Sequence, residues 1–305
     1  MLQNIQKDIL EINKRSSLEP EKLILEDTQN YQNQILSLVS KIISLGKKII
    51  LVSGASSAGK TTTSRILQEE MARFGVSSFV ISMDDFYFNM DLIPLREDGM
   101  HDIESPNAID IKGIKKCLSD LISKGETELP QFDFLTHKRK VETLPCKLSS
   151  NQVIFMEGLH ALNAKITDGL DLDKVMKVYI HCSGTYTYQG DEILLPRDIR
   201  LMRRMLRDAR ERDFSYKQTL DMWQEVCKGE DENILPYLDE ADEYINTFHS
   251  FEALLYKTIL TKDLDVNEDT KELFSKLTYV GRLKPNLVPK DSVVREFIGG
   301  YNSDD

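Results

Sequence analysis

Residues 52–67 of this 305-residue chain read VSGASSAGKTTTSRIL. Four residues separate Gly54 from Gly59, which is followed by Lys60 and Thr61; an apolar run precedes the segment and a helical pattern follows it. The glycines permit positive φ angles and a close approach to a ligand, so the backbone N–H groups of such a loop can surround phosphates. The helix that follows adds the positive end of its dipole. The segment therefore predicts a site for a nucleoside triphosphate.

The side chains of this loop suggest its cofactors. Lys60 would place a positive charge on the β- and γ-phosphates, and the Thr61 hydroxyl is suited to bind Mg²⁺. We therefore expect ATP and Mg²⁺. The residues predicted to contact the nucleotide are Gly54, Ala55, Ser56, Ser57, Ala58, Gly59, Lys60, Thr61 and Thr62.

Strands and helices alternate around this loop. Apolar strands are predicted at 49–53, 77–83 (SSFVISM), 153–158 (VIFMEG), 175–182 (VMKVYIHC) and 241–248 (ADEYINTF), with a helix from Thr61 to about Phe74. Such alternation favours a mostly parallel sheet that is covered on both faces. The fold class predicted is therefore α/β, a P-loop NTPase fold with helices on both sides of its sheet.

Composition excludes several classes of partner. Hydrophobic residues make up 41% of the chain, and 50 acidic against 39 basic residues give a net charge of −11. A broad basic face for nucleic acid is therefore not expected. No apolar stretch approaches the roughly 20 residues that cross a membrane, and the N-terminus does not resemble a signal peptide. Four scattered cysteines without a C-x-x-C pair indicate reduced thiols and a cytoplasmic protein.

Acidic residues follow two of the predicted strands. Asp84 and Asp85 end the second strand in SMDDFYF (82–88), and Glu157 ends VIFMEG. Parallel strands deliver such residues to the carboxyl edge of the sheet, where ligands bind. An acid there can orient a hydroxyl and accept its proton as it attacks the γ-phosphate, and Glu157 could bind Mg²⁺. A GTPase-type Asn-Lys-x-Asp motif and a motor-type Asp-Glu strand end are missing from the sequence, which favours phosphoryl transfer.

An arginine-rich helix is predicted in DIRLMRRMLRDARERD (198–213). Its helical spacing puts four arginines on one side, and the forked guanidinium is well suited to phosphate. The four are Arg200, Arg203, Arg204 and Arg207. We expect Arg200 and Arg204 to bind the nucleotide, and Arg203 and Arg207 to join Lys60 in stabilising charge on the transferring phosphate.

From about residue 49 to 248, these motifs together resemble the uridine kinase and phosphoribulokinase family of P-loop kinases. In this register the catalytic base is Asp84, and Asp85 stands where the family usually has Ser. The arginine-rich helix is similar to the family's lid, and ILPYLDEADEYIN (234–246) is similar to its late Pro-x-x-x-x-Ala-Asp segment. The resemblance implies a small-molecule kinase that uses ATP and Mg²⁺.

The resemblance also implies the residues that bind the acceptor. In HDIESPNAID (101–110) the acid expected to hold the ribose hydroxyls is Glu104, where the family has Asp. In LPQFDFLTHKRK (129–140) Phe132 replaces a Tyr, His137 reads the base and Arg139 follows. Tyr87 and Gln218 are implied to line the same pocket.

The outer parts of the chain extend the resemblance to a longer bacterial branch of the family. HALN (160–163) and VPKDSVVREFIGG (288–300) resemble that branch, but its synthetase-like N-terminal domains are not expected in residues 1–45. We predict three parts: a helical N-terminal extension (1–45), a P-loop kinase domain (46–262), and a C-terminal extension (263–305) that packs on it and ends in a frayed tail. The segment 184–197 is unlike the short linker of uridine kinases.

The predicted activity is ATP-dependent phosphorylation of the 5′-hydroxyl of uridine or cytidine in pyrimidine salvage. The sequence leaves three alternatives open: a kinase of the same fold for another nucleoside, phosphoribulose or pantothenate; a nucleotide-binding regulatory protein without turnover; and an RNA-associated protein, which the acidic charge disfavours. The acceptor, any homo-oligomer and feedback control stay undetermined.

Overall fold

A computed structural model describes residues 4–95, 99, 101–133, 136–264 and 268–300 of the chain. The strands are β1 (Ile5–Asp8), β2 (Ile49–Ser53), β3 (Ser77–Ser82), β4 (Glu126–Leu129), β5 (Phe132–Asp133), β6 (Lys138–Arg139), β7 (Leu144–Lys147), β8 (Gln152–Glu157), β9 (Val175–His181), β10 (Gly184–Tyr188), β11 (Asp191–Leu194) and β12 (Glu243–Asn246). The α-helices are α1 (Ile9–Leu18), α2 (Pro20–Ser44), α3 (Lys60–Arg73), α4 (Ile111–Lys124), α5 (Ala164–Thr167), α6 (Pro196–Glu211), α7 (Tyr216–Asn233), α8 (Glu252–Asp263), α9 (Lys271–Lys276) and α10 (Arg295–Ile298).

The central sheet has five parallel strands in the order β12-β9-β2-β8-β3. All five strands predicted from the sequence are present, and the predicted fold class is confirmed. Every residue of β2 is buried, because its side chains alternate between two covered faces. Ile50 and Val52 join the cluster that contains α2, α3, α6 and α8, whereas Ile49 and Leu51 join the cluster that contains α4.

The N-terminal helix α2 packs on the domain through one apolar face. Apolar residues at spacings of three and four along it are buried, namely Tyr31, Ile35, Leu38 and Ile42. Leu45 is 59% exposed because it follows the last residue of the helix. The Tyr31 hydroxyl donates to Thr63 Oγ1 at 2.8 Å, so α2 contacts the helix that follows the phosphate loop.

A second sheet, which the sequence did not predict, joins the N-terminus to the segment 184–197. Strand β1 pairs in parallel with β10, and β10 pairs antiparallel with β11. The turn between them carries Gln189 at φ 53° and Gly190 at φ 94°. The unusual segment is therefore a β-hairpin that leads directly into helix α6, and its pairing with β1 anchors the N-terminal extension.

The C-terminal part packs along the same side of the domain. Leu273 of helix α9 is buried in the main core, and so are Val293, Val294 and Phe297. The predicted frayed tail, residues 301–305, lies outside the described part of the chain. Among the described helices, none combines the length and apolar character needed to span a bilayer.

Candidate active site at the carboxyl edge of the sheet

The phosphate loop is held between strand β2 and helix α3. Gly54 comes so close to β9 that a Cβ atom would lie 2.3 Å from the Ile180 carbonyl oxygen. Gly59 has φ +90° and lies directly before the first residue of α3. Both positions therefore require glycine, because one lacks space and the other is in the left-handed region. Ser57 shares that region at φ 59°, which completes a loop whose curvature suits an anion.

Lys60 and Thr61 occupy the start of α3. Lys60 Nζ donates to the carbonyl oxygens of Gly54, at 2.7 Å, and Ala55, at 3.3 Å. The Thr61 hydroxyl donates to Glu157 Oε1 at 3.3 Å. Glu157 is the last residue of β8, and its register places it beside Val52 of β2 and Ser82 of β3. The sheet register thus places Glu157, the predicted metal ligand, beside the phosphate loop.

The Thr61–Glu157 pair fits a magnesium ion. Glu157 Oε2 is buried and has no hydrogen-bond partner among the described residues, while the Thr61 side of the pair is exposed. Mg²⁺ prefers oxygen ligands and often combines one protein carboxylate with phosphate oxygens and water. These two residues can therefore hold the ion that a triphosphate would share.

Asp84 stands one strand away from Glu157. Its backbone N–H donates to Ser82 Oγ at 3.2 Å, in the short turn that ends β3. The neighbouring Asp85 instead accepts a hydrogen bond from the Phe132 backbone N–H at 3.3 Å. The two adjacent carboxylates therefore have different surroundings.

The ionisable groups at this edge influence one another. Desolvation raises the pKa of the Asp84 carboxyl; Lys60 opposes this rise and Asp85 adds to it. Desolvation raises the pKa of Glu157 as well, again against the effect of Lys60. Burial lowers the pKa of Lys60, and the acids counter it. A cationic ion between these carboxylates would relieve their mutual repulsion.

Arginine side chains of helix α6 contact the phosphate loop. Arg200 donates to Ser56 O at 3.3 Å and pairs with Glu230 at 2.6 Å. Arg204 donates to Ser56 Oγ at 2.7 Å and pairs with Asp208. Helix α6 therefore lies against the loop, with Arg200 and Arg204, the two arginines predicted to bind the nucleotide, in contact with Ser56.

Arg203 has a different position from the one its helical spacing suggested. It is fully buried, and its guanidinium pairs with Glu252 at 2.7 and 2.8 Å. The same group donates to Ser57 O at 3.2 Å and to both oxygens of Thr247. The N–H groups of Arg203 therefore donate to protein acceptors, and the bond to Ser57 supports the phosphate loop.

Arg207 lines an open space beside Thr61 and Thr62 at the start of α3. Its guanidinium lies 3.7 Å from carboxylate oxygens of Asp208 and of Glu296. Its buried Nε has no hydrogen-bond partner among the described residues. Desolvation and the nearby Arg212 both lower the pKa of Arg207, an environment that would favour an added anion.

The acceptor side is built from turns and short strands around residues 83–140. The Tyr87 and Phe132 rings lie 5.7 Å apart, and the Tyr87 hydroxyl donates to Ile103 O at 3.2 Å. Arg139 donates to the carbonyl oxygens of Phe86, at 2.7 Å, and Tyr87, at 3.1 Å. Arg139 thus supports the segment that carries Asp84 and Asp85.

The other predicted acceptor residues are spread more widely. Glu104 packs against helix α7, because a Cβ on Gly229 would lie 3.1 Å from Glu104 Cβ. Desolvation raises the pKa of Glu104, and Arg204 and Lys60 oppose the rise. His137 is exposed in a turn at φ 55°. Gln218 accepts a hydrogen bond from the Ser215 N–H at 2.8 Å and caps α7.

Several residues at the site were not predicted. Glu252 and Thr247 bind Arg203, and Glu296 approaches Arg207 from the far end of the chain. His160 is buried beside Glu104, and burial lowers the pKa of its imidazole to about 4. His160 had a sequence signal, since it lies directly after the Glu157 strand, but the others are identified only by contacts distant in sequence.

The fold and this site define a P-loop phosphotransferase: a phosphate loop, strand-end carboxylates beside it and an arginine helix over it. A model of the phosphoribulokinase / uridine kinase family matches residues 49–251. The chain belongs to that family.

Two relatives that are similar to this chain in sequence agree with this assignment. The chain is 30% identical over 181 residues to a uridine kinase of Ligilactobacillus salivarius, covering 59% of this chain and 75% of that one. It is 27% identical over 177 residues to a uridine kinase of Ureaplasma parvum, covering 57% and 75%. A solved structure of a possible uridine kinase from Bacillus stearothermophilus is 18% identical, with a TM-score of 0.46 and coverage of 70% and 98%.

Proposed function

We propose that this protein transfers the γ-phosphate of ATP to the 5′-hydroxyl of a pyrimidine nucleoside, uridine or cytidine, as a cytoplasmic salvage enzyme. The observation that carries the proposal is the meeting of Asp84 and Glu157, on neighbouring strands, beside the phosphate loop. A base and a metal ligand next to a triphosphate site are what phosphoryl transfer to an alcohol requires. The uridine kinase relatives support the choice of acceptor.

In this mechanism the loop residues 54–62 hold the triphosphate through backbone N–H groups. Lys60, which now donates to loop carbonyls, would turn to the β- and γ-phosphates. Mg²⁺, held through Thr61 with Glu157 beside it, would neutralise charge on the phosphates. Asp84 would orient the acceptor hydroxyl and take its proton as the oxygen attacks the γ-phosphorus, while the bond from that phosphorus to the β,γ-bridging oxygen breaks and ADP leaves.

The arginines of helix α6 would have different roles in stabilising the charge of the phosphates. Arg207, which lies beside Thr61 and Thr62 at the start of α3, would stabilise charge on the phosphates during transfer. Arg200 and Arg204 would add charge at the rim of the loop, where they already contact Ser56. Arg203 would act as a positioning residue, since its contacts hold Ser57 and Thr247 behind the loop.

On the acceptor side, Glu104 would accept hydrogen bonds from the ribose hydroxyls. Phe132 and Tyr87 would pack against the base, and His137 would read its edge. Arg139 would keep the Asp84 segment in place through its bonds to Phe86 and Tyr87. Gln218 would reach the pocket only by giving up its cap on α7.

A second candidate is a kinase of the same fold for another small alcohol, such as a different nucleoside, phosphoribulose or pantothenate. The observation that favours it is the acceptor side itself. Phe132 lacks the phenolic hydroxyl of the family's Tyr, and its ring is packed against Tyr87. Glu104 is one methylene longer than the family's Asp, so the sugar would sit differently.

A panel of acceptors with ATP labelled at the γ-phosphate tests both candidates. Uridine, cytidine, adenosine, ribulose 5-phosphate and pantothenate would each be offered with Mg²⁺. Highest kcat/KM for uridine or cytidine supports the proposal. Preference for any other alcohol supports the second candidate, and ATP binding without turnover of any acceptor would indicate a regulatory protein.

A further inference from the structure

A cleft of about 430 Å³ opens beside the start of α3 and has the C-terminal segment as one wall. Thr61, Thr62 and Arg65 form its floor, and Arg207, Arg210, Glu211 and Arg212 form the side that belongs to the end of α6. Arg295, Glu296, Gly299 and Gly300 form the opposite side. These four residues lie beyond residue 251, where the family match ends.

The C-terminal wall is firmly attached to the phosphate loop and to α6. A Cβ on Gly59 would lie 3.2 Å from Val293, and the Phe297 ring lies 4.6 Å from the Arg203 guanidinium carbon. Arg210 donates to the carbonyl oxygens of Glu296, at 2.6 Å, and Phe297, at 2.7 Å. The segment is therefore held to the loop by buried contacts.

The chemistry of this wall differs from that of a simple phosphate site. Glu296 puts a carboxylate into a cleft lined mainly by arginines, with Oε1 at 3.7 Å from Arg207. Its Oε2 is buried and accepts no hydrogen bond from any described residue. A carboxylate repels phosphate but is a strong acceptor for a hydroxyl group. Glu296 is thus suited to the part of a nucleotide that follows the phosphates.

The position of the cleft fits that part. Thr61 and Thr62 are the last residues of the phosphate loop, and the cleft extends from them. A triphosphate held by the loop would therefore direct its sugar and base towards the C-terminal wall. The sugar has two hydroxyl groups, and the unpartnered carboxylate oxygen of Glu296 could accept a hydrogen bond from one of them.

We propose that residues Val293–Gly300 form the nucleoside subsite of the ATP site, with Glu296 accepting a hydrogen bond from a sugar hydroxyl of the nucleotide. This proposal rests on the proposed function only in taking ATP as the bound nucleotide. It gives the C-terminal extension a direct role in nucleotide selection, outside the region shared with the family model.

The test compares two ligands that differ in the nucleoside. Titration calorimetry on the full chain, without acceptor, would measure Kd for MgATP and for magnesium tripolyphosphate. We expect Glu296→Gln to weaken ATP binding about fivefold to tenfold, because a hydrogen bond to a charged acceptor is lost. Tripolyphosphate should bind the variant equally or more tightly, since a negative charge has been removed.

The matched control removes the same charge from the opposite side of the cleft. Glu211→Gln should change both affinities by one common factor, because Glu211 is exposed and its carboxylate is paired with Arg210. Equal changes of both ligands in Glu296→Gln would overturn the proposal, because they would mark Glu296 as only a counter-ion of Arg207.

A second measurement needs no substitution. Wild-type protein should bind 2′,3′-dideoxy-ATP about as weakly as Glu296→Gln binds ATP, and the two losses should not add in the variant. Equal binding of ATP and dideoxy-ATP by wild type contradicts the proposal. If wild type binds neither ATP nor tripolyphosphate, this proposal and the proposed function both fail. Tight, sugar-dependent ATP binding without acceptor turnover defeats the proposed function alone.

Discussion

The two sides of the candidate active site are built differently. On the nucleotide side, helices α3 and α6 carry the phosphate loop and its arginines, and Arg203 and Glu252 form an ion pair with no exposure to solvent. On the side predicted to bind the acceptor, the candidate residues lie in turns, two-residue strands and single bridges, namely Tyr87, Glu104, Phe132, His137 and Arg139. His137 is exposed there.

Because of this difference, phosphate transfer and the choice of acceptor depend on different parts of the molecule. The phosphate side depends on backbone geometry, which regular helices and buried ion pairs can hold in place. Its chemistry can therefore be predicted from a few residues of the sequence. The acceptor side depends on loops, which readily change without disturbing a core. It is also the side where Phe132 and Glu104 depart from the family pattern. Predictions for the two sides should therefore differ in kind.

The largest expected effect is on Asp84, where the two sides meet. Asp84→Asn should lower kcat about 10²–10⁴-fold, because general base catalysis is lost. Kd for MgATP should stay within about twofold, since the loop is untouched. Labelled-ATP assays and calorimetry measure the two quantities. Near-normal turnover by this variant would show that Asp84 is not the base.

The buried ion pair behind the loop should contribute chiefly to stability. Glu252→Gln leaves Arg203 charged and buried, so we expect the free energy of unfolding to fall by about 3–5 kcal/mol. The control is Glu243→Gln, whose partner Lys41 is 47% exposed; an exposed pair of this kind contributes about 0–1 kcal/mol. Urea unfolding compares the two. Equal small losses would contradict a special role of the buried pair.

A smaller effect is expected at the proposed metal site. Glu157→Gln should raise the Mg²⁺ concentration needed for half-maximal activity about 10- to 100-fold, in the range seen when groups supporting a bound metal are lost. Glu126→Gln, in an exposed pair with Lys147, should leave the Mg²⁺ dependence unchanged. A similar Mg²⁺ requirement in Glu157→Gln and wild type would place the ion elsewhere.

The smallest effect should be a shift in pH dependence. Asp85 raises the pKa of Asp84, so Asp85→Asn should lower it. Because the reaction needs the deprotonated carboxylate, the acid limb of the kcat/KM profile should move to lower pH. Asn can keep the acceptor for the Phe132 N–H, which protects the fold of the turn. An unchanged or upward-shifted limb would argue against this coupling.

Much of the nucleotide site was predictable because its signals are local. Gly54, Gly59, Lys60 and Thr61 lie within eight residues of sequence, and Asp84 and Glu157 each end an apolar strand. The acceptor side was predicted only through resemblance. Its residues lie in turns and short strands whose contacts, such as those of Arg139 with Phe86 and Tyr87, have no periodic signal.

Helix α6 shows what helical periodicity cannot predict, namely the contacts of each arginine side chain. Spacing correctly placed its arginines along one side of α6, but the direction of each guanidinium depends on what packs there. Arg203 meets Glu252, which lies 49 residues away in sequence, and Arg207 faces Glu296. Periodicity cannot distinguish a phosphate ligand from a buried support, because both require the same residue on the same helical face.

The sequence by itself determined the phosphate loop, the parallel strands and the acids at their ends, because these depend on short-range steric and hydrophobic rules. Tertiary structure decided which arginine braces the loop and which faces the cleft. It also decided that strand β1 pairs with β10 and that the C-terminal segment lines the cleft beside Thr61 and Thr62. Those outcomes depend on contacts between segments far apart in the chain, which only the packed core brings together.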